Sequence, residues 1–225
     1  MSTGISRRGV LAGAVALPWL AACSAGTDRP PGAELDEGTF SSRFWPGHKV
    51  RWRLARPVRQ SSVTAAQRLV VALHGHGADA DWAFNSVHIE RHVASTGLAV
   101  ATVDGGDFYW HARRSGIDPG SVVAEELLPL MGSKGLATDR IGLIGWSMGG
   151  YGALLMATTL GPERVAGVVA ASAALWQSSG ASAPGAFDDH EDFVRNDVFA
   201  ARGKLRGIPV RLDCGRDDPF IVANR

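Results

Sequence analysis

Apolar and polar positions alternate in two different ways along this chain, and each way predicts a different element. Lys49-Val50-Arg51-Trp52-Arg53-Leu54-Ala55 is apolar at every second position, as a half-exposed strand should be. Arg68 to Leu73, Gly97 to Val103, Asp139 to Ile144 and Arg164 to Ser172 are instead short apolar runs, the mark of strands buried on both faces, and Ile208 to Cys214 follows as a further strand. Helical patterns lie between them. Gly120 to Met131 carries Val122, Val123, Leu127, Leu128 and Leu130 inward and Glu125-Glu126 outward. Tyr151 to Ala157 is apolar and proline-free, and Glu191 to Arg202 also reads as a helix. Arg56 to Gln67 is a polar connection, and Ala173 to His190, small and polar around Trp176, reads as a cap or loop. Buried strands alternating with helices predict an α/β fold: a mostly parallel sheet with helices on both faces.

The first residues follow another logic. Ser6-Arg7-Arg8 opens an uncharged apolar run, Gly9 to Leu20, too short to span a bilayer, so residues 1–22 read as an export signal. The paired arginines resemble a twin-arginine leader, from which Val10 and Ala12 depart. Leu20-Ala21-Ala22-Cys23 resembles a bacterial lipobox, which implies lipidation of Cys23 and a tether on the outer face of the cytoplasmic membrane or in the envelope. Residues 23–39, rich in Ala, Gly, Pro, Asp and Glu, read as a flexible linker, and the folded domain is expected over 40–225.

Composition narrows the picture. A chain of 225 residues that is 45% hydrophobic and 20% charged holds one α/β domain with a full core and calls for no second one. The formal charge is +1, and two positive residues lie in the leader, so nucleic acid is not an expected partner. Cys23 and Cys214 are the two cysteines, and their separate settings predict no disulfide.

Candidate chemistry gathers at Gly145-Trp146-Ser147-Met148-Gly149-Gly150. A strand precedes this G-x-S-x-G and a helix follows, so Ser147 is placed at a strained corner with its oxygen above the sheet. Glycine is needed on both sides, since a Cβ there would collide as strand and helix fold together. The free N–H of Met148 begins the helix and would point at an oxyanion. The run 68–73 ends in His74-Gly75-His76-Gly77, where the backbone N–H of His76 is the candidate second donor. Gly215-Arg216-Asp217-Asp218-Pro219-Phe220 leaves the last strand as an acid-bearing turn. Asp218 is the first choice, because the following proline holds it extended, and Asp217 the second. Trp110, His111 and Trp176 are candidates to line an acyl or alcohol pocket, local packing being the alternative for the first two. His74 and His76 lack the carboxylate or cysteine pattern of a metal site, and no cofactor is implied.

Leu73-His74-Gly75, Trp110-His111, the serine hexapeptide and Asp213-Cys214-Gly215-Arg216-Asp217-Asp218-Pro219-Phe220 together resemble the putative-esterase family of α/β-hydrolases, which includes esterase D-type S-formylglutathione hydrolases and secreted mycolyltransferases. The resemblance runs from about residue 45 to the end. It implies Ser147 as nucleophile, Asp218 as acid, the N–H groups of His76 and Met148 as oxyanion hole, and a small-molecule ester or acyl donor as substrate. In such enzymes the catalytic histidine follows the acid, after one more strand. Here His48, His74, His76, His88, His92, His111 and His190 all precede Asp218. The expectation is therefore an α/β-hydrolase chain lacking the last strand and helix, an esterase by type but weak or inactive. The alternatives are an acyltransferase of the mycolyltransferase type and a non-catalytic envelope lipoprotein that binds a ligand in the retained pocket.

Overall fold

The structure, a computed structural model, describes residues 31–58 and 65–225. The export signal, Cys23 and the first part of the linker lie outside the described residues. Seven strands form one sheet: β1 (Ala33–Ser41), β2 (Lys49–Pro57), β3 (Gln67–Leu73), β4 (Ala99–Val103), β5 (Leu136–Trp146), β6 (Val165–Ala171) and β7 (Val210–Asp213), in the order β1-β2-β4-β3-β5-β6-β7. β1 and β2 run antiparallel at one edge, and β3 to β7 are mutually parallel.

β1 corrects one expectation, because residues 33–39 are strand rather than linker. Their acid-rich composition hides it. The strand is specified across the ladder, where Glu34 lies opposite Arg56 and Glu37 opposite Arg53. Both pairs close, at 2.9 and 3.3 Å. Opposite charges directly across an antiparallel pair stabilise it without an apolar repeat.

Helices cover both faces. On one side α1 (Trp82–Asn85) and α2 (Val93–Thr96) bury Ala83, Phe84 and Val93 against Ala55, Ala72 and Val100. On the other lie α3 (Pro119–Val122), α4 (Leu128–Ser133) and α5 (Met148–Leu160), whose core includes Leu127, Met131, Leu143, Met148 and Leu154. Residues 148–158 of α5 are buried all round, as suits a helix wedged between sheet and chain. The single helix expected over 120–131 is interrupted by a π turn at Val123–Leu127. Pro129 has no N–H to return to Glu125 and its ring would clash there, so the turn widens and the Leu128 N–H donates to Val123 instead. Likewise the helix expected over 191–202 divides into α6 (His190–Arg195) and α7 (Val198–Ala201), each started by an aspartate cap, Asp189 and Asp197.

Candidate active site

The parallel strands end at one level. Leu73 pairs with Gly145, Trp146 with Ala171, and Ala171 with Asp213. His74, Ser147, Ser172 and Cys214 therefore leave the sheet side by side. The chain winds outward in opposite directions from β3, to β4 and to β5, and such a switch point opens a crevice at the carboxyl ends of the strands.

Ser147 occupies that crevice in a conformation rare for a residue with a Cβ, φ 53° and ψ −117°. Two close approaches enforce it. A Cβ on Gly145 would stand 2.0 Å from the Gly149 carbonyl oxygen, and one on Gly149 would stand 2.0 Å from that of Leu73. The Ser147 N–H donates to Ala171 at 3.0 Å, and its carbonyl accepts the first helical bond, from Tyr151, at 3.1 Å. The N–H of Met148 then has no acceptor among the described residues and stands at the positive end of α5.

The loop after β3 lies against this corner, for a Cβ on Gly75 would be 3.5 Å from that of Ser147. His74 fixes the loop. Its Nε2 accepts the Gly105 N–H at 2.9 Å, so the proton sits on Nδ1, 2.8 Å from the Gly75 carbonyl. Burial also lowers its pKa, against the pull of Asp104, Asp79 and Asp107, so both geometry and desolvation keep the ring neutral. The N–H of His76 has no acceptor among the described residues, while its exposed ring stands 3.7 Å from Asp107. Asp107 in turn accepts the Gly77 N–H at 2.6 Å.

Of the two acid candidates, Asp218 turns inward and Asp217 is exposed. The Asp218 carboxylate accepts the Phe220 N–H at 2.8 Å. Its pKa is lowered, first by the Phe220 N–H and next by Ser172, with desolvation opposing.

The aromatic candidates separate. Trp110 is 1% exposed, its ring packed against Gly105 and Gly152 and its N–H donating to the His74 carbonyl at 3.3 Å. His111 is buried beside Asp192 and bonds the Ala186 carbonyl at 3.1 Å, and desolvation lowers its pKa despite the Asp192 charge. Both face a cavity of about 260 Å³ that reaches Leu155, Met156 and Leu160 in the last turns of α5, away from Ser147. Tyr109, Phe187 and Phe220 bring their rings against the half-buried Trp176, and Tyr151 meets Tyr109 and Phe187. The rings of Tyr109 and Phe220 lie 5.6 and 5.8 Å from that of Trp176. Tyr151 stands one helical turn beyond Ser147, and its hydroxyl donates to the Asn196 carbonyl at 2.9 Å.

None of the seven histidines hydrogen-bonds Ser147 or Asp218. His48 stacks on Trp45, His88 lies by Glu90, His92 is exposed, and His190 bonds the Ser179 hydroxyl at 2.8 Å. Among the described residues no group of three or more His, Cys, Asp or Glu is placed to hold a metal, and no helix is long and apolar enough to cross a membrane.

Residues 47–224 match the family model described as putative esterase. Among curated proteins none matches. Several solved structures share the fold. The fluorophosphonate-binding serine hydrolase F of Staphylococcus aureus, substrate bound, is 19% identical with a TM-score of 0.72, over 85% of this chain and 83% of that one. A ferulic acid esterase, 19% identical, covers the same shares with a TM-score of 0.70. An S-formylglutathione hydrolase from Agrobacterium tumefaciens is 17% identical, with a TM-score of 0.66 over 82% of this chain and 86% of that one.

Proposed function

The chain belongs to the putative-esterase family and has an α/β-hydrolase fold, and from that premise we propose that it is a serine hydrolase cleaving a carboxylic ester or thioester through an acyl-enzyme on Ser147. The observation that carries this reading is the strained Ser147 corner beside two N–H donors, those of Met148 and His76, that have no acceptor among the described residues. Ser147 Oγ attacks the acyl carbon while the two N–H groups stabilise the negative charge growing on the carbonyl oxygen. The alcohol or thiol leaves as the tetrahedral intermediate collapses, and water then releases the acid and restores Ser147. Both steps need a base to take and return a proton, and Asp218 is the group that would orient it.

No imidazole is bonded to either Ser147 or Asp218, so the 225-residue chain is a weak esterase on this reading. Removing a triad member of this kind costs about 10⁴- to 10⁶-fold in kcat. Fluorophosphonate labelling and p-nitrophenyl acetate hydrolysis test the proposal. Labelling is expected at Ser147 and lost in Ser147→Ala, and free imidazole is expected to raise hydrolysis by the native chain by about 10²-fold and not that of the variant. Equal labelling of the two proteins would overturn it. Transfer to an added sugar or lipid alcohol in preference to water would make it an acyltransferase, and a ligand bound with no labelling at all would make it a binding protein. The substrate side remains a small-molecule ester or acyl donor. Export and lipidation of Cys23 would hold the domain at the membrane's outer face, and incorporation of a labelled fatty acid that Cys23→Ser abolishes would establish the anchor.

A further inference from the structure

Residues 171–174 join the two halves of the site. Ala171 accepts the Ser147 N–H at 3.0 Å, and Ala174 donates to the Ser147 carbonyl at 2.9 Å, so the segment grips both backbone groups of the nucleophile. Between them, Ala173 is pressed onto the first turn of α5, where a Cβ on Gly150 would stand 3.0 Å from its Cα. One side chain holds Ala173 from elsewhere in the chain. Asn224 Oδ1 accepts the Ala173 N–H at 3.2 Å, and Asn224 Nδ2 donates to the Ala173 carbonyl at 2.8 Å. Nδ2 also donates to the Phe220 carbonyl at 2.9 Å, inside the turn whose Phe220 N–H donates to Asp218 at 2.8 Å.

These partners call for an amide. One acceptor meets the N–H and two donor hydrogens meet the two carbonyls, so Asn224, 8% exposed, has both ends of its amide satisfied. A carboxylate of the same shape would set an oxygen against both carbonyl oxygens, and an apolar side chain would leave three backbone groups without this partner. We propose that Asn224 is a positioning residue, whose amide clamps the turn that carries Asp218 to the segment that grips Ser147 and so fixes the acid relative to the nucleophile. The role rests on the reading of Asp218 as the acid of the site.

The turn needs such a clamp because its surroundings are open. β7, from which it hangs, is exposed at all four residues, and residues 214–225 form turns without helix or strand. Phe220 adds a ring contact, its centroid 5.8 Å from that of Trp176. Such a contact tolerates sliding, whereas three hydrogen bonds from one amide fix direction as well as distance. The Ser147 corner has its own restraint in the close approaches at Gly145 and Gly149. Loss of the clamp must therefore free the acid turn and leave the corner in place.

The test compares the 225-residue protein with its Asn224→Ala and Asn224→Asp forms, aspartate keeping the shape and the acceptor while removing both donor hydrogens. In the native protein the Asn224 side-chain amide hydrogens are expected to exchange at least about tenfold more slowly than those of the exposed Asn85. In both variants the NMR order parameters over 215–225 are expected to fall from the rigid range toward about 0.6, with those over 147–158 unchanged. In imidazole-assisted hydrolysis of p-nitrophenyl acetate both are expected to lose about tenfold in kcat with KM unchanged, while fluorophosphonate still labels Ser147. Native-like order and kcat in Asn224→Asp would overturn the proposal, because a side chain that only fills space tolerates that change. A loss of order or labelling at Ser147 in step with the turn would overturn it too. So would fast exchange of the Asn224 amide in the native protein, a result that counts even where neither variant folds. Exchange and order need no activity, so failure of the esterase reading would show in labelling of the native chain and leave both measurements intact.

Discussion

The nucleophile corner and the acid turn sit at the same end of one sheet and are built in opposite ways. Around Ser147 the backbone is enclosed: α5 is buried along 148–158, and the two glycines flanking the corner leave no room for one added carbon. At Asp218 the supporting strand β7 is exposed at all four residues, with Val210 and Leu212 40% and 41% open. The turn is held by directed hydrogen bonds, the Phe220 N–H to Asp218 and the Asn224 side chain to the Phe220 and Ala173 carbonyls. Steric enclosure makes the serine geometry inseparable from folding, whereas a few hydrogen bonds make the acid geometry adjustable with the core intact.

The contrast breaks first at Gly149. Gly149→Ala drives a methyl into the Leu73 carbonyl, and a loss of at least about 3 kcal/mol or failure to fold is expected in denaturant titration. A stable, native-like variant would show that the corner is not sterically fixed. Asn224→Ala leaves both backbone groups of Ala173 without their partner and is expected to cost about 1–3 kcal/mol. Its signature in hydrogen exchange is faster exchange over 214–225 with α5 still protected, and uniform acceleration would mean that the two regions unfold as one.

Acid sharpens the comparison more gradually. His74 and His111 are held below the ordinary histidine value of 6.5 by burial, so the unfolded chain binds protons in a pH range where the folded one does not. Stability is then complete above about 6.5 and declines as pH falls below it. Tm is expected to fall over that range, with the loop after β3 loosening first as His74 Nε2 ceases to accept the Gly105 N–H; a flat profile would place both histidines in water-like settings. Asp218, with a lowered value, contributes stability that is lost only further down, as pH falls through its folded value. The smallest effect belongs to Arg211, whose pair with Asp213 on the β7 edge is exposed: Arg211→Ala is expected to leave Tm unchanged.

Much of this was legible because it is local. The buried runs at 68–73 and 164–172 become β3 and β6 with shifts of a few residues at their ends, and the serine motif lies between its strand and its helix. The strand at 33–41 was not, because its acid-rich composition hides it and the residues it pairs with lie on β2, about 20 residues away. Nor was the fate of Trp110 and His111. An aromatic after a buried strand reads the same whether it lines a crevice or fills a core, and only the folded structure shows both side chains buried and edging a cavity beside α5.

The sequence by itself determined the alternation of buried strands and helices, the corner at Ser147 and the turn that carries Asp218, because periodicity, glycine spacing and proline act over a few bonds. Tertiary structure alone decided that four strand ends lie level, that residues 171–174 tie Ser147 to the last turn of the chain, and that Asn224 closes that tie. These are contacts between segments far apart in the chain. Their partners are chosen by how the sheet assembles, and no local pattern of residues encodes that choice.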